Sequence, residues 1–231
     1  DHTAGGMTRE FLRKSLHREY SKLEAIAGTH IILWFDACLF DQAMLAHILA
    51  CLSHLRARHV ELICVDSFPG VEPFHGLGQL SPEQFVSLEG RQLPVSEQEF
   101  EFAIQVDKAF ATSDFQALEE ISRMSDAPLP FVPAAAARWL QERPDPETGL
   151  GLLESLVMSA LRNGCNTPME IFKFAASADT PPQFWGGSTL WAKINGLAMR
   201  NPPLLKIEGP TDKLPQRESN LSLESFLIKK V

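Results

Sequence analysis

Two aspartates stand directly after two short apolar runs: Asp36 follows Trp34-Phe35, and Asp66 follows Val65. Beyond the first lie Asp41 and Gln42, and beyond the second a loop carrying His75, Gly76, Gly78 and Gln79. Carboxylates in such a set can hold a hard divalent cation such as Mg²⁺ or accept protons, an imidazole titrates near neutrality, and amides orient a ligand oxygen. The residue types therefore nominate Asp36, Asp66 and His75 for acid–base work, and Asp41, Gln42, Gly76, Gly78 and Gln79 for contact with a small ligand such as a sugar, phosphate ester or nucleotide. No fixed metal-ligand set is assigned among them. A structural reading stands beside the chemical one, because an aspartate after a strand also caps the next helix and loop glycines also serve turns. Gly76-Leu-Gly78 lacks the third glycine of a dinucleotide fingerprint, and Ser67 is not in a nucleophile elbow. His47, Cys51 and His54 have a helical spacing that can hold zinc, but they flank the stripe of Met44, Ile48, Leu52 and Leu55 and read as packing residues.

The elements that must place these residues are legible from periodicity. Leu12, Leu16, Tyr20, Leu23 and Ala27 recur at helical spacing between charged residues. Thr29–Phe35 is a run of apolar and β-branched residues suited to a strand covered on both faces. An amphipathic helix over Leu39–Leu55 and a second strand over His59–Val65 complete a βαβ unit, whose two strands are expected to run parallel. Ligands of open α/β sheets gather beyond the carboxyl ends of the strands, where Asp36 and Asp66 are expected to meet. Helices are predicted to begin at Ser81-Pro82 and at the Ser96–Glu99 capping box, with two more over Asp114–Arg123 and Pro133–Arg143. Two strands make a poor parallel sheet, so either helices cover a small sheet or further strands lie upstream of Asp1.

Pro144-Asp-Pro-Glu-Thr-Gly149 interrupts any helix and marks the expected boundary between an α/β domain (1–145) with a helical second half and a rear domain (150–231). In the rear, helices are predicted over Leu150–Arg162, from the Thr167–Glu170 capping box, and over Thr189–Arg200 behind a Ser188 cap. Strands near Leu204–Ile207 and Phe226–Lys229 follow, with a turn-rich tract over Glu208–Ser222 between them. Three helices and a hairpin is the order of a winged helix-turn-helix. The fold class expected is thus α/β: a small parallel sheet with covering helices, followed by a winged-helix-like domain. Its third helix offers Lys193, Asn195 and Arg200, with Trp191, as exposed groups for a nucleic acid. Trp185 and Trp191 suit protein docking or a homodimer equally well.

Charge narrows the partners. The whole chain carries 21 basic and 29 acidic residues, net −8. Residues 1–149 hold 12 Lys and Arg against 22 Asp and Glu, while 150–231 hold 9 against 7. An acidic front and a weakly basic rear argue against a protein coated for nucleic acid. Four scattered cysteines form neither a disulfide scaffold nor a zinc knuckle, no apolar run reaches the ~20 residues of a membrane span, and no signal-peptide pattern opens the sequence. A cytoplasmic location without membrane contact is expected.

The strings Leu33-Trp-Phe-Asp-Ala-Cys-Leu-Phe-Asp-Gln42, Ser67-Phe-Pro-Gly70, Phe74-His-Gly-Leu-Gly-Gln-Leu-Ser-Pro82 and Leu129-Pro-Phe131 resemble a bacterial family catalogued as domain of unknown function 1835. The resemblance runs from about Arg9 to Leu205. In that family the first string usually reads W-F-E-x-D-L-F-D-Q, so Asp36 replaces a common glutamate and Cys38 a common aspartate. Members generally open with a further strand-bearing segment, which implies that Asp1 is not the usual start. The resemblance implies an α/β front and a helix-turn-helix-like rear, and no activity. Two functions therefore compete: a small-molecule or nucleotide-handling α/β domain with a metal-dependent carboxylate site, and a regulatory or adaptor protein whose winged helix binds DNA or a protein.

Overall fold

The computed structural model describes residues 8–179, 186–215 and 220–231. Among them the chain is mixed α/β, with nine α-helices, a three-stranded sheet and a two-stranded sheet. The described residues form two compact units, a front unit of residues 15–140 and a rear unit of residues 8–14, 141–179, 186–215 and 220–231. Trp185 lies outside the described residues.

Helix α1 (Arg9–Ile26), which enters the front unit at Ser15, precedes β1 (His30–Asp36), α2 (Leu39–His54) and β2 (His59–Val65) of that unit. The strands pair in parallel from His30↔His59 to Asp36↔Val65, so Asp36 and Asp66 emerge at one sheet edge. The expected all-parallel sheet is corrected by β3 (Leu93–Pro94), which pairs antiparallel with Glu61 and Leu62 and makes the order β1-β2-β3. Val95 N–H donates to the Val60 carbonyl at 2.9 Å and prolongs the ladder past the proline, which has no donor of its own. Helices α3 (Pro82–Val86) and α4 (Glu97–Thr112) start at reciprocal Ser81/Gln84 and Ser96/Glu99 capping boxes. Helices α5 (Phe115–Ser122) and α6 (Val132–Leu140) follow. Leu45, Leu49 and Leu52 of α2 are fully buried with Val106 of α4, Leu118 of α5 and Val132 of α6. That core anchors α2 on its apolar face and thereby fixes the strand ends on either side of it.

The rear unit contains α7 (Leu152–Arg162), α8 (Pro168–Ala178) and α9 (Gly187–Ala198), then β4 (Leu205–Glu208) antiparallel to β5 (Leu227–Lys230). Its core gathers Leu153, Val157, Ile171, Leu190, Ile194 and Phe226. The proline-rich turn at 144–149 is folded tightly. The Asp145 carboxylate accepts from the Glu147 and Thr148 amides at 3.0 and 2.8 Å, and Glu142 accepts from Leu153 N–H at 3.0 Å. The N-cap of α9 is Gly186 instead of Ser188, and it makes no side-chain hydrogen bond. Among the described residues no helix is long and apolar enough to cross a membrane.

Candidate functional site

The edge of the parallel pair is organised around Asp36. The aspartate is buried, and both carboxylate oxygens accept backbone hydrogen bonds: Oδ1 from Cys38 N–H and Oδ2 from Leu77 N–H, each at 3.0 Å. The second bond reaches across 41 residues and ties the loop after β2 to the end of β1. Gly76 permits that approach. Its φ of 145° and ψ of 173° fall where only glycine is comfortable, and a Cβ there would overlap Asp36 Oδ2. Gly78 has open space where its Cβ would be, so it has no such role.

Asp41 lies in the first turn of α2, where the helix dipole favours a carboxylate. Its Oδ2 accepts from Asp36 N–H at 2.8 Å. Cys38 is the N-cap of that helix, its sulfur accepting from Asp41 N–H at 3.5 Å. One oxygen of each aspartate and the Cys38 sulfur lie within 4.8 Å of one another. Burial raises the Asp41 carboxyl above its ordinary range, with the Asp36 charge adding to the effect and the hydrogen bond from Asp36 N–H opposing it. Burial pushes both the Cys38 and the Cys64 thiols up to about 12. The charges of Asp36, Asp41 and Asp66 raise the Cys64 thiol further, while its hydrogen bond from Gln42 opposes them. No basic side chain pairs with these aspartates among the described residues.

The remaining nominated residues divide. Gln42 is buried and donates to the Asp36 carbonyl at 2.7 Å and to Cys64 Sγ at 3.3 Å, so it fixes backbone and does not face the carboxylates. Asp66 is exposed at the same edge and accepts from Ser67 Oγ at 2.9 Å. Gln79 does not reach the aspartates: its Oε1 accepts from His75 N–H and its Nε2 donates to the Pro73 carbonyl at 3.2 Å, closing the loop on itself. His75 is half-buried in that loop. Sequence reasoning misses Cys64, because a cysteine inside an apolar strand is indistinguishable from a packing residue; only its pairing with Phe35, one position before Asp36, reveals its place.

The expected exposed face of α9 is overturned. Trp191 and Asn195 are 6 % and 5 % exposed. Asn195 clamps Leu214 through two backbone bonds, Nδ2 to the carbonyl at 2.9 Å and Oδ1 from the N–H at 2.7 Å. Lys193 pairs with Glu142 at 3.1 Å, and Arg200 bonds Glu154 at 3.2 Å and the Gly149 carbonyl at 3.0 Å. These groups hold the rear unit together; α9 ends at Ala198, before Arg200, and its one cation, Lys193, is engaged by Glu142. Against protein-family models, curated proteins and solved structures, the chain has no match.

Proposed function

We propose that the front unit handles a small oxygen-rich molecule, such as a nucleotide or sugar phosphate, through a divalent cation held at the carboxyl edge of β1 and β2. The observation that carries this reading is the juxtaposition of Asp36 and Asp41, one buried and one half-buried, with no cationic partner among the described residues. Charge removed from water is ordinarily paired or bound to metal. A carboxylate oxygen that accepts one amide keeps a second lone pair, and among the described residues Asp41 takes its backbone bond from Asp36 on Oδ2, not Oδ1. Hard cations select such oxygens, while exposed Asp66 and the His75 loop stand at the same edge to meet a ligand. The test is a thermal-shift series with Mg²⁺ or Mn²⁺ alone and with nucleoside and sugar phosphates. Stabilisation that needs metal and vanishes in Asp41→Asn supports the proposal; equal stabilisation of wild type and variant overturns it.

A second reading concerns the rear unit, whose order of three helices and an antiparallel pair supports a winged helix. With Lys193 of α9 and the following Arg200 engaged in ion pairs, we propose a protein-docking or self-association role for it over DNA binding. The four sequence strings support a proposed kinship with the domain of unknown function 1835 family, and a cytoplasmic location remains the expectation.

A further inference from the structure

A second cluster of reactive groups lies along α2, away from the sheet edge. His47 and Cys51 are four residues apart, one helical turn, so their side chains meet: Cys51 Sγ lies 3.8 Å from His47 Nε2. Helix α4 packs against α2 and brings Asp107, whose Oδ1 lies 2.9 Å from His47 Nδ1. An ionised carboxylate can only accept, so Nδ1 carries a proton, and in the neutral ring Nε2 is the nitrogen with the lone pair. The Tyr20 hydroxyl of α1 meets the same nitrogen and must swing aside before Nε2 can take a proton from the thiol. His54, the third residue of the zinc-like spacing, is exposed and takes no part.

Tyr20, His47 and Cys51 line a groove of about 310 Å³ between α1 and α2. Leu16, Leu23, Met44 and Ile48 give it an apolar wall, and Glu19 is its one carboxylate. The volume is at the lower limit of small-ligand pockets, which run from ~300 to 1,000 Å³. An apolar chain of modest length with one polar, reactive end matches that division. Burial raises the Cys51 thiol above its ordinary range, with the Asp107 charge adding to the effect and a hydrogen bond with Tyr20 opposing it, so attack by the sulfur calls for a base. His47 is in place to be that base.

We propose that Cys51 is a nucleophile that accepts a short acyl group from an acyl thioester, with His47 as its base and Asp107 as the positioning residue that fixes the imidazole. In the transfer, His47 Nε2 takes the thiol proton and the Cys51 sulfur forms a bond to the acyl carbon. The bond from that carbon to the donor's sulfur breaks, and the imidazolium returns its proton to the departing thiolate. One thioester is consumed and one formed, with no oxidant or reductant. The acyl chain lies along Leu16, Leu23, Met44 and Ile48.

The test incubates the full chain with octanoyl N-acetylcysteamine thioester and follows intact mass. Addition of one octanoyl group, removable by hydroxylamine and absent from Cys51→Ser, is expected, whereas Cys165→Ser behaves as wild type. His47→Gln slows the transfer by ~10²-fold or more, the usual contribution of a general base, and its rate climbs with pH like that of a simple thiol. Asp107→Asn changes the pH profile as well as the rate. Met44→Trp, at an exposed groove position, slows octanoyl transfer much more than acetyl transfer. Equal labelling of Cys51→Ser and wild type, or an unchanged rate and pH profile in His47→Gln, overturns the proposal.

Discussion

Replacing Gly76 by alanine sets a methyl group against the Asp36 carboxylate in a backbone conformation that residues with a Cβ avoid. The conformational strain costs about 1–3 kcal/mol. Relief requires the carboxylate to withdraw from Leu77 N–H, and a hydrogen bond to a charged group is worth about 1.5–3 kcal/mol. Together these predict a loss of roughly 3–5 kcal/mol from the front unit. With a urea slope of about 2 kcal/mol/M, the unfolding midpoint falls by about 2 M. Hydrogen exchange read by mass spectrometry on peptides covering 30–66, across a urea series, reports the front unit alone. A double-mutant cycle isolates the cause: in an Asp36→Ala background Gly76→Ala costs about 2 kcal/mol less, because no carboxylate is there to displace. A midpoint shift below about 0.3 M, or the same cost in both backgrounds, refutes the clasp between the two loops.

Asp41→Asn removes a carboxylate whose folded-state titration lies above its ordinary range. The folded protein then binds that proton more tightly than the unfolded chain, so this group lowers stability as pH rises from the unfolded value through the folded one. In metal-free buffer the variant is expected to be as stable as wild type or more so at pH 7, and to lose that advantage on acidification; a urea-unfolding series against pH checks it. Asn195→Ala deprives both polar groups of Leu214 of their partner and is expected to cost about 2–4 kcal/mol, read as an unfolding midpoint of the rear unit. Cys38 and Cys64, with thiols near 12, are expected to react with a thiol reagent at pH 8 about 10³-fold more slowly than in the urea-unfolded chain, since the thiolate is the attacking species.

Where a local rule decides the structure, the residues declare it. The parallel pair follows from two β-rich runs joined by an amphipathic helix, and α3, α4 and α8 begin at capping boxes written in Ser81, Ser96 and Thr167. Strand β3 is not legible, because two residues including Pro94 carry no periodicity and pair only where tertiary packing presents Glu61 and Leu62. Helix α9 shows the opposite failure. Its stripe of Leu190, Ile194 and Leu197 implies one buried face, but packing against α7, α8 and β4 also buries Trp191 and Asn195. A polar residue is satisfied there by the Leu214 backbone, a partner that no helical wheel contains. At the sheet edge, residue types locate Asp36, Asp41 and Asp66 correctly along the chain. Their division into clasp, helix-start carboxylate and exposed acid depends on which amides reach each oxygen, and one of those amides belongs to Leu77.

The proposed cation site rests on Asp36 and Asp41 acting together. The amides of Cys38 and Leu77 donate to Asp36, and that of Asp36 donates to Asp41, so each reports directly on the charge of its acceptor. A titration of the ¹⁵N-labelled chain with Mg²⁺, followed by amide chemical shifts at constant ionic strength, is the most direct measurement. Saturable shifts largest at Asp36, Cys38 and Leu77, and abolished in Asp41→Asn, are expected. Unchanged positions for these three amides, or shifts confined to exposed acidic side chains such as those of α1, contradict a shared cation.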